Sequence, residues 1–196
     1  MTTQTRRERQ RAERHQLIIE TARDIAESQG WEAVTIRRLA DAIEYSQPVL
    51  YSHFANRDAI VAAVAIEGFT ELAARSRRLR EAADTPEQAL TAVAGGYLDF
   101  ARSSPALYDA MFVQKVDLIF GPGAPQALQD AFGELAAVFA PFAGENDVET
   151  STEVGWSALH GLATLEQEGR LRPSFRDQRL SLLVEHWTRR EPPVVG

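Results

Sequence analysis

The sequence predicts an all-α protein of about nine helices, in which an N-terminal three-helix unit holding a helix-turn-helix precedes a larger helical body. Three observations lead there. Apolar residues recur at helical spacings of three and four along nearly the whole chain. The punctuation between these runs is that of helix ends, with Thr, Ser or Asn ahead of a run, Pro in its first turn and Gly behind it. No segment reads as a strand, and neither an internal repeat nor a low-complexity tract interrupts the pattern.

The first helix carries Leu17, Ile18, Ala22, Ile25 and Ala26 on one side, and Gly30 is suited to a left-handed cap at its end. Trp31 and Val34 lead to Thr35, the expected N-cap of a short helix whose inner face is Ile36, Leu39, Ala40 and Ile43. Glu44-Tyr45-Ser46 makes a turn. Ser46 is the expected cap of a third helix, with Pro48 in its first turn, where a missing N–H costs little. Asn56 caps a long helix of about 24 residues, with Ile60, Ala63, Val64, Phe69 and Leu72 inward. Thr85-Pro86-Glu87-Gln88 has the spacing of a capping box, and Ser104-Pro105 opens a further helix. The Gly-Pro-Gly-Ala-Pro run from Gly121 to Pro125 is a turn and not a phosphate loop, since no Gly-Lys-Ser/Thr follows and no strand precedes it. Helices around 125–140, 147–168 and 175–190 complete the chain. The expected division is a basic flexible arm over 1–14, a helix-turn-helix unit over 15–58, a larger helical body over 59–190, and a tail over 191–196.

Charge is distributed unevenly. Residues 1–60 hold nine Arg and nine acidic residues, whereas residues 61–196 hold 12 basic and 19 acidic groups and so carry the whole net charge of −7. Within the first segment Arg6, Arg7, Arg9, Arg11 and Arg14 face only Glu8 and Glu13, a local +3. A solvated charged tail is the plain reading of that arm, and phosphate contact is the functional one. No run approaches the roughly 18 apolar residues of a membrane span, and the N-terminus lacks the apolar stretch of a secretory signal. The absence of cysteine excludes disulfides and thiolate metal sites. His15, His53, His160 and His186 form neither H-E-x-x-H nor E-x-x-H, and there is no G-x-S-x-G elbow. The expectation is a cytoplasmic protein without cofactor, metal, membrane association or catalytic activity.

The stretch from Ser46 to Phe54, SQPVLYSHF, has little apolar surface for a helix. That composition suits a recognition helix, which turns a narrow apolar strip inward and offers donors and acceptors to base edges. Leu50 and Phe54, four apart, supply the strip. Gln47, Val49, Ser52 and His53 face outward. Gln can pair bidentately with adenine, and Val49 can touch a thymine methyl. Thr35, Tyr51 and Arg57 suit phosphate oxygens, which set register without reading sequence. Arg37, Arg38 and Pro48 complete the candidate DNA-binding set, and Arg6, Arg7, Arg9 and Arg11 form the candidate arm contacts. Plainer readings exist for several members: Tyr51 as half-core, His53 as a helix-end cap, Arg37 and Arg38 as a solvated face.

The run from Thr35 to Val61, TIRRLADAIEYSQPVLYSHFANRDAIV, closely resembles the DNA-binding segment of TetR-type transcriptional regulators. The matching residues are Thr35, Leu39-Ala40, Ser46, Leu50-Tyr51, His53-Phe54, and Arg57 where that family usually has Lys. The resemblance extends over residues 12–64. It implies a helical ligand-binding and dimerisation body behind the DNA-binding unit, a double-stranded DNA operator, a homodimer and a small-molecule effector. Repression is the commoner outcome in that family; activation, or a ligand-independent interaction module, is the alternative. One departure stands out: Glu44-Tyr45-Ser46 replaces the family's usual Gly-Val-Ser, so Glu44 is expected to accept a positive φ.

Downstream, Trp156, His160 and Gly161 resemble a WHG-type C-terminal domain of some TetR-like regulators. Trp156 and His160 share one helix face, and Gly155, Ala158 and Gly161 keep a surface thin enough for close helix approach. Candidate dimer contacts are Ala158, Leu162 and Leu165 on one helix, and Leu180, Leu183, Val184 and Trp187 on the last. The alternative for these stripes is purely intramolecular core. Tyr97, Phe100, Tyr108, Met111 and Phe112, with Trp156 as a further wall and His160 as a polar contact, are candidates for an apolar effector pocket, against the alternative of ordinary core.

Overall fold

A computed structural model describes residues 3–121 and 123–189. Among them it has nine α-helices, three 3₁₀ turns and no strand. The tail expected over 191–196 lies outside the described residues. The helices are α1 (Thr3–Gln29), α2 (Ile36–Ala42), α3 (Gln47–Tyr51), α4 (Arg57–Glu81), α5 (Pro86–Ser103), α6 (Pro105–Phe112), α7 (Gln126–Phe139), α8 (Val148–Gln167) and α9 (Arg176–Thr188).

The caps account for most of these boundaries. Gly30 has φ 82° and ends α1. Thr35 Oγ1 accepts from Arg38 N at 3.2 Å, and Asn56 Oδ1 accepts from Ala59 N at 2.9 Å. At α5, Thr85 Oγ1 accepts from Gln88 N at 3.2 Å, while the Gln88 side chain reaches back to Asp84 N at 3.0 Å, one residue before the position an ideal capping box would use. Asp147 opens α8 by accepting from Thr150 N at 2.8 Å, and that hydrogen bond holds its carboxyl below the ordinary range.

Two expected boundaries move. Residues 3–14 are not a flexible arm but the first turns of α1, which is 27 residues long. The physical reason is composition: Arg, Gln, Glu and Ala dominate this stretch, no Gly or Pro breaks it, and Arg14 Nε donates to Gln10 O at 3.0 Å along the helix. The break expected after residue 58 falls inside α4. The chain divides instead into a unit of Met1–Phe69 with Ser104–Pro125, and a unit of Thr70–Ser103 with Gln126–Gly196.

In the first unit, Ile18, Ala22, Leu39, Leu50, Ile60 and Val64 form a buried core. Helix α6 belongs here because α1 caps it. The Glu27 carboxylate accepts from Ala106 N at 3.1 Å and Leu107 N at 2.9 Å, and Trp31 Nε1 donates to Ala106 O at 2.8 Å. These bonds satisfy N–H groups that every helix start leaves open. Gly68 lets α6 approach α4, since a Cβ at that position would collide with Met111 and Leu107.

In the second unit, Leu90 and Val93 of α5 pack against Leu135, Val138 and Phe139 of α7. Gly155 of α8 lies directly on the Phe139 ring, where a Cβ would overlap it. Glu134 is buried between two guanidiniums, with Arg77 Nε at 2.7 Å from Oε1 and Arg80 Nε at 2.8 Å from Oε2. Burial alone would push its carboxyl up, but hydrogen bonds from Arg80 and Arg77 outweigh this and hold it down. Glu166 ties α8 to α9 through Arg176 Nε at 3.1 Å and Arg179 Nη2 at 2.7 Å, and Arg176 Nη1 continues to Asp99 of α5 at 3.0 Å.

Candidate nucleic-acid interface

Helices α2 and α3 are joined by a turn in which Ile43 N donates to Leu39 O at 3.1 Å and Tyr45 N to Ala40 O at 3.0 Å. Between them Glu44 takes φ 56°, as the missing glycine predicts. A Cβ in this left-handed region costs roughly 1–2 kcal/mol. Replacing Glu44 by Gly is therefore expected to raise the unfolding free energy by roughly 0.5–1 kcal/mol, after the entropy that glycine gains in the unfolded chain is subtracted. Denaturant titration of the full chain reads this out, and a loss of stability would contradict it.

Helix α3 is anchored by Leu50, fully buried, and by Phe54 just beyond its end. Ser46 does not cap it through its side chain as expected; its carbonyl begins the helix by accepting from Val49 N at 2.9 Å. Gln47, Pro48, Tyr51 and Ser52 are exposed, and Val49 and His53 are half-buried. Tyr51 is 53% exposed, which places it outside the core. Ser52 Oγ donates to Val49 O at 2.6 Å, so its oxygen keeps its capacity to accept.

Thr35, Arg37 and Arg38 are exposed at the start of α2. Arg37 lies 3.9 Å from Asp41, a loose surface pair of little energetic consequence, so its guanidinium stays available. Arg38 hydrogen-bonds the Gln29 side chain. Arg57 departs from its expected phosphate role. Its Nε donates to Val34 O at 2.9 Å and its Nη2 to Trp31 O at 2.8 Å, with Nη1 3.5 Å from Asp58. The side chain thus braces the segment leading into α2. Its planar fork can hold two carbonyls at once, which a lysine ammonium on a flexible stem cannot reproduce in the same geometry.

Arg6, Arg7, Arg9 and Arg11 are all exposed on the first turns of α1. Arg11 Nη2 also approaches Ser52 O at 3.4 Å, at the C-terminal end of α3. His15, one turn on, stacks on Phe54 with centroids 4.4 Å apart. Burial, reinforced by Arg11, His15 and Arg14, holds the His53 imidazole below its ordinary pKa. No sequence motif signals the contacts of Arg11 and His15 with α3.

The seven candidate pocket residues fall in both units. Tyr108 and Met111 are buried in the first, where Tyr108 and Phe69 pack on the Phe112 ring at 4.8 and 5.3 Å. In the second, Tyr97 and Phe100 are buried, and Trp156 Nε1 donates to the Tyr97 hydroxyl at 3.0 Å. His160 lies 6.2 Å from the Trp156 ring, and burial lowers its pKa.

The candidate dimer residues also divide. Ala158, Leu162, Leu165 and Leu183 line an open groove on α8 and α9, together with Ser157, Gly161, Arg179 and Leu182. Leu180 and Trp187 do not join them: Leu180 packs on Gly95 of α5, and Trp187 sits edge-on to Phe139 at 5.0 Å. Val184 is half-buried. Helix α9 thus has an inward apolar face and a separate outward one. Leu182, 58% exposed, belongs to the outward face, which the stripe pattern does not separate from the inward one.

A short helix buried by two residues, offering polar side chains beyond a tight turn, defines a helix-turn-helix protein of the DNA-binding regulator class. Comparison with known proteins agrees. Residues 18–64 match the family model described as bacterial regulatory proteins of the tetR family, and residues 90–186 match the tetracyclin repressor-like C-terminal domain. The chain is 28% identical over 157 residues, 78% of its length and 69% of the relative's, to the uncharacterized HTH-type transcriptional regulator Rv0681 of Mycobacterium tuberculosis. A solved protein of unknown function from Rhodococcus sp. RHA1 has the same fold, with TM-score 0.74, 23% identity, and coverage of 89% of this chain and 93% of that one. The TetR family regulator PfmR from Thermus thermophilus is also similar in fold, with TM-score 0.59, 16% identity, and coverage of 87% and 96%. The chain belongs to the TetR family of DNA-binding transcriptional regulators. Among the described residues no helix is long and apolar enough to cross a membrane.

Proposed function

We propose that this chain is a repressor that binds a near-palindromic operator as a homodimer and is released by a small molecule. The observation that carries the DNA half is the exposed face of α3, with Gln47, Tyr51 and Ser52 outward over the buried Leu50. Gln47 and Val49 are assigned to base edges, Tyr51, Thr35 and Arg37 to phosphates, and Arg6, Arg7 and Arg9 to further phosphates reached by the helical start of α1. Arg57 is assigned to holding α2 rather than to DNA.

The apolar groove of α8 and α9 supports the homodimer, because Leu162, Leu165, Leu182 and Leu183 otherwise leave apolar surface to water. A two-fold dimer would set its recognition helices about 34–36 Å apart, one per half-site. A ligand that binds more tightly in the DNA-incompetent spacing shifts the population away from DNA. In the second unit, the buried Tyr97 and the half-buried Trp156 bonded to it, beside His160, supply apolar walls with polar atoms among them, as small-molecule sites require.

The test is association. Sedimentation equilibrium of the wild type is expected to give a dimer, and the double variant Leu162→Glu/Leu182→Glu a folded monomer, since four charges would be buried across the two-fold contact. A variant that remains dimeric would overturn the assignment of this face.

A further inference from the structure

Helix α1 begins well before the residues that pack into the first unit, and its early turns reach the far end of α3. Three contacts meet there. The Arg11 guanidinium points at the Ser52 carbonyl, the His15 ring stacks on Phe54, and the His15 and His53 centroids lie 6.0 Å apart. Phe54 is one of only two buried anchors of the short recognition helix, so a group that holds Phe54 also holds α3. Arg11 acts on the same end, where a cation complements carbonyls left open at a helix C-terminus.

We propose that Arg11, His15, His53 and Phe54 form a proton-sensitive brace that fixes α3 against the start of α1, closed while the His53 imidazole is neutral and loosened when it is protonated. The charged and titratable groups acting on His53 are Arg11, His15 and Arg14, all from α1 and none an acid. Charges at the other end of the motif are engaged elsewhere: Arg57 with the Trp31 and Val34 carbonyls and Asp58, Arg38 with Gln29, and Arg37 with Asp41. Protonation therefore adds positive charge to a site that already holds two guanidiniums. His53 Nδ1 is also buried without a hydrogen-bond partner among the described residues, so a proton there would create a buried donor facing no acceptor.

The sign follows from the depressed imidazole. The unfolded or loosened state takes up a proton more readily than the braced one, so the brace is intact above the ordinary histidine range and weakens as pH falls through it. The consequence for DNA binding rests on α3 being the helix that enters the groove.

Amide hydrogen exchange on the full chain tests the brace without DNA. Between about pH 7.5 and 5.5, corrected for intrinsic exchange, protection over residues 47–54 is expected to fall roughly fivefold in the wild type. The fall is expected to be absent in His53→Gln and in His53→Asn, whose side chains are polar but take up no proton. Equal losses in all three proteins, or none in the wild type, would overturn the brace. A second arm measures affinity for a DNA duplex selected by this protein from a random pool. Between about pH 7.5 and 5.5 the affinity of the wild type is expected to fall roughly threefold more than that of His53→Gln. An exchange response without that difference would overturn the placing of α3 in the groove and leave the brace standing.

Discussion

Replacing Tyr51 by Ala is expected to lower affinity for a selected DNA duplex at least tenfold, about 1.4 kcal/mol or more, while leaving the fold and the oligomeric state unchanged. The two halves of that outcome have separate causes. Tyr51 lies on the outward side of α3 with half its surface in water, so truncating it empties no cavity in the core. Under the proposed role its hydroxyl would donate to a phosphate oxygen, a charge-assisted bond, and its ring would lose water-exposed apolar surface when DNA arrives. Fluorescence anisotropy gives the affinity and thermal denaturation gives the control. Unchanged affinity would remove Tyr51 from the interface, and a large fall in melting temperature would show it to be core.

Replacing Arg57 by Ala is expected to do the opposite, costing about 3 kcal/mol of stability, because charged hydrogen bonds to the Trp31 and Val34 carbonyls are lost together. Lysine at this position is expected to recover only part of the loss, since one ammonium on a flexible stem does not reproduce the planar fork. The salt dependence of DNA binding separates this role from a phosphate contact. Losing a phosphate contact flattens the slope by about one ion per subunit, whereas losing a brace weakens binding at an unchanged slope. Denaturant titration and anisotropy over a salt series, taken together, decide between them.

The residues that are legible in the sequence are those whose function depends on local spacing. Thr35 and Asn56 cap helices because their side chains meet backbone groups three residues on, and Glu44 takes a positive φ because the turn geometry requires it. Leu50 and Phe54, four apart, mark the anchored face of α3 for the same reason. What is not legible depends on residues distant in sequence. Arg57 reads as a free cation until the Trp31 and Val34 carbonyls are seen to occupy it, and Glu27 gives no sign that it caps a helix 79 residues later. Helix α9 illustrates a third limit. Leu180, Leu182, Leu183 and Trp187 all fit a helical stripe, and only the packing of Leu180 on Gly95 and Trp187 on Phe139 separates the inward face from the outward one. The basic start of α1 reads as an arm on charge alone, whereas its helix-forming composition decides its structure.

The two sides of α3 define its proposed role: one narrow side is closed by Leu50 and Phe54, and the other is left to a polar partner. Selection of bound sequences from a random DNA pool measures that directly, with wild type and Gln47→Ala run in parallel. The expected outcome is a near-palindrome whose half-sites are spaced by about one helical turn or a small multiple of it, with a base preference that relaxes in Gln47→Ala at one position of each half-site. Winners with no repeated half-site, or an identical motif from both proteins, would contradict the assignment of α3 as the helix that reads DNA.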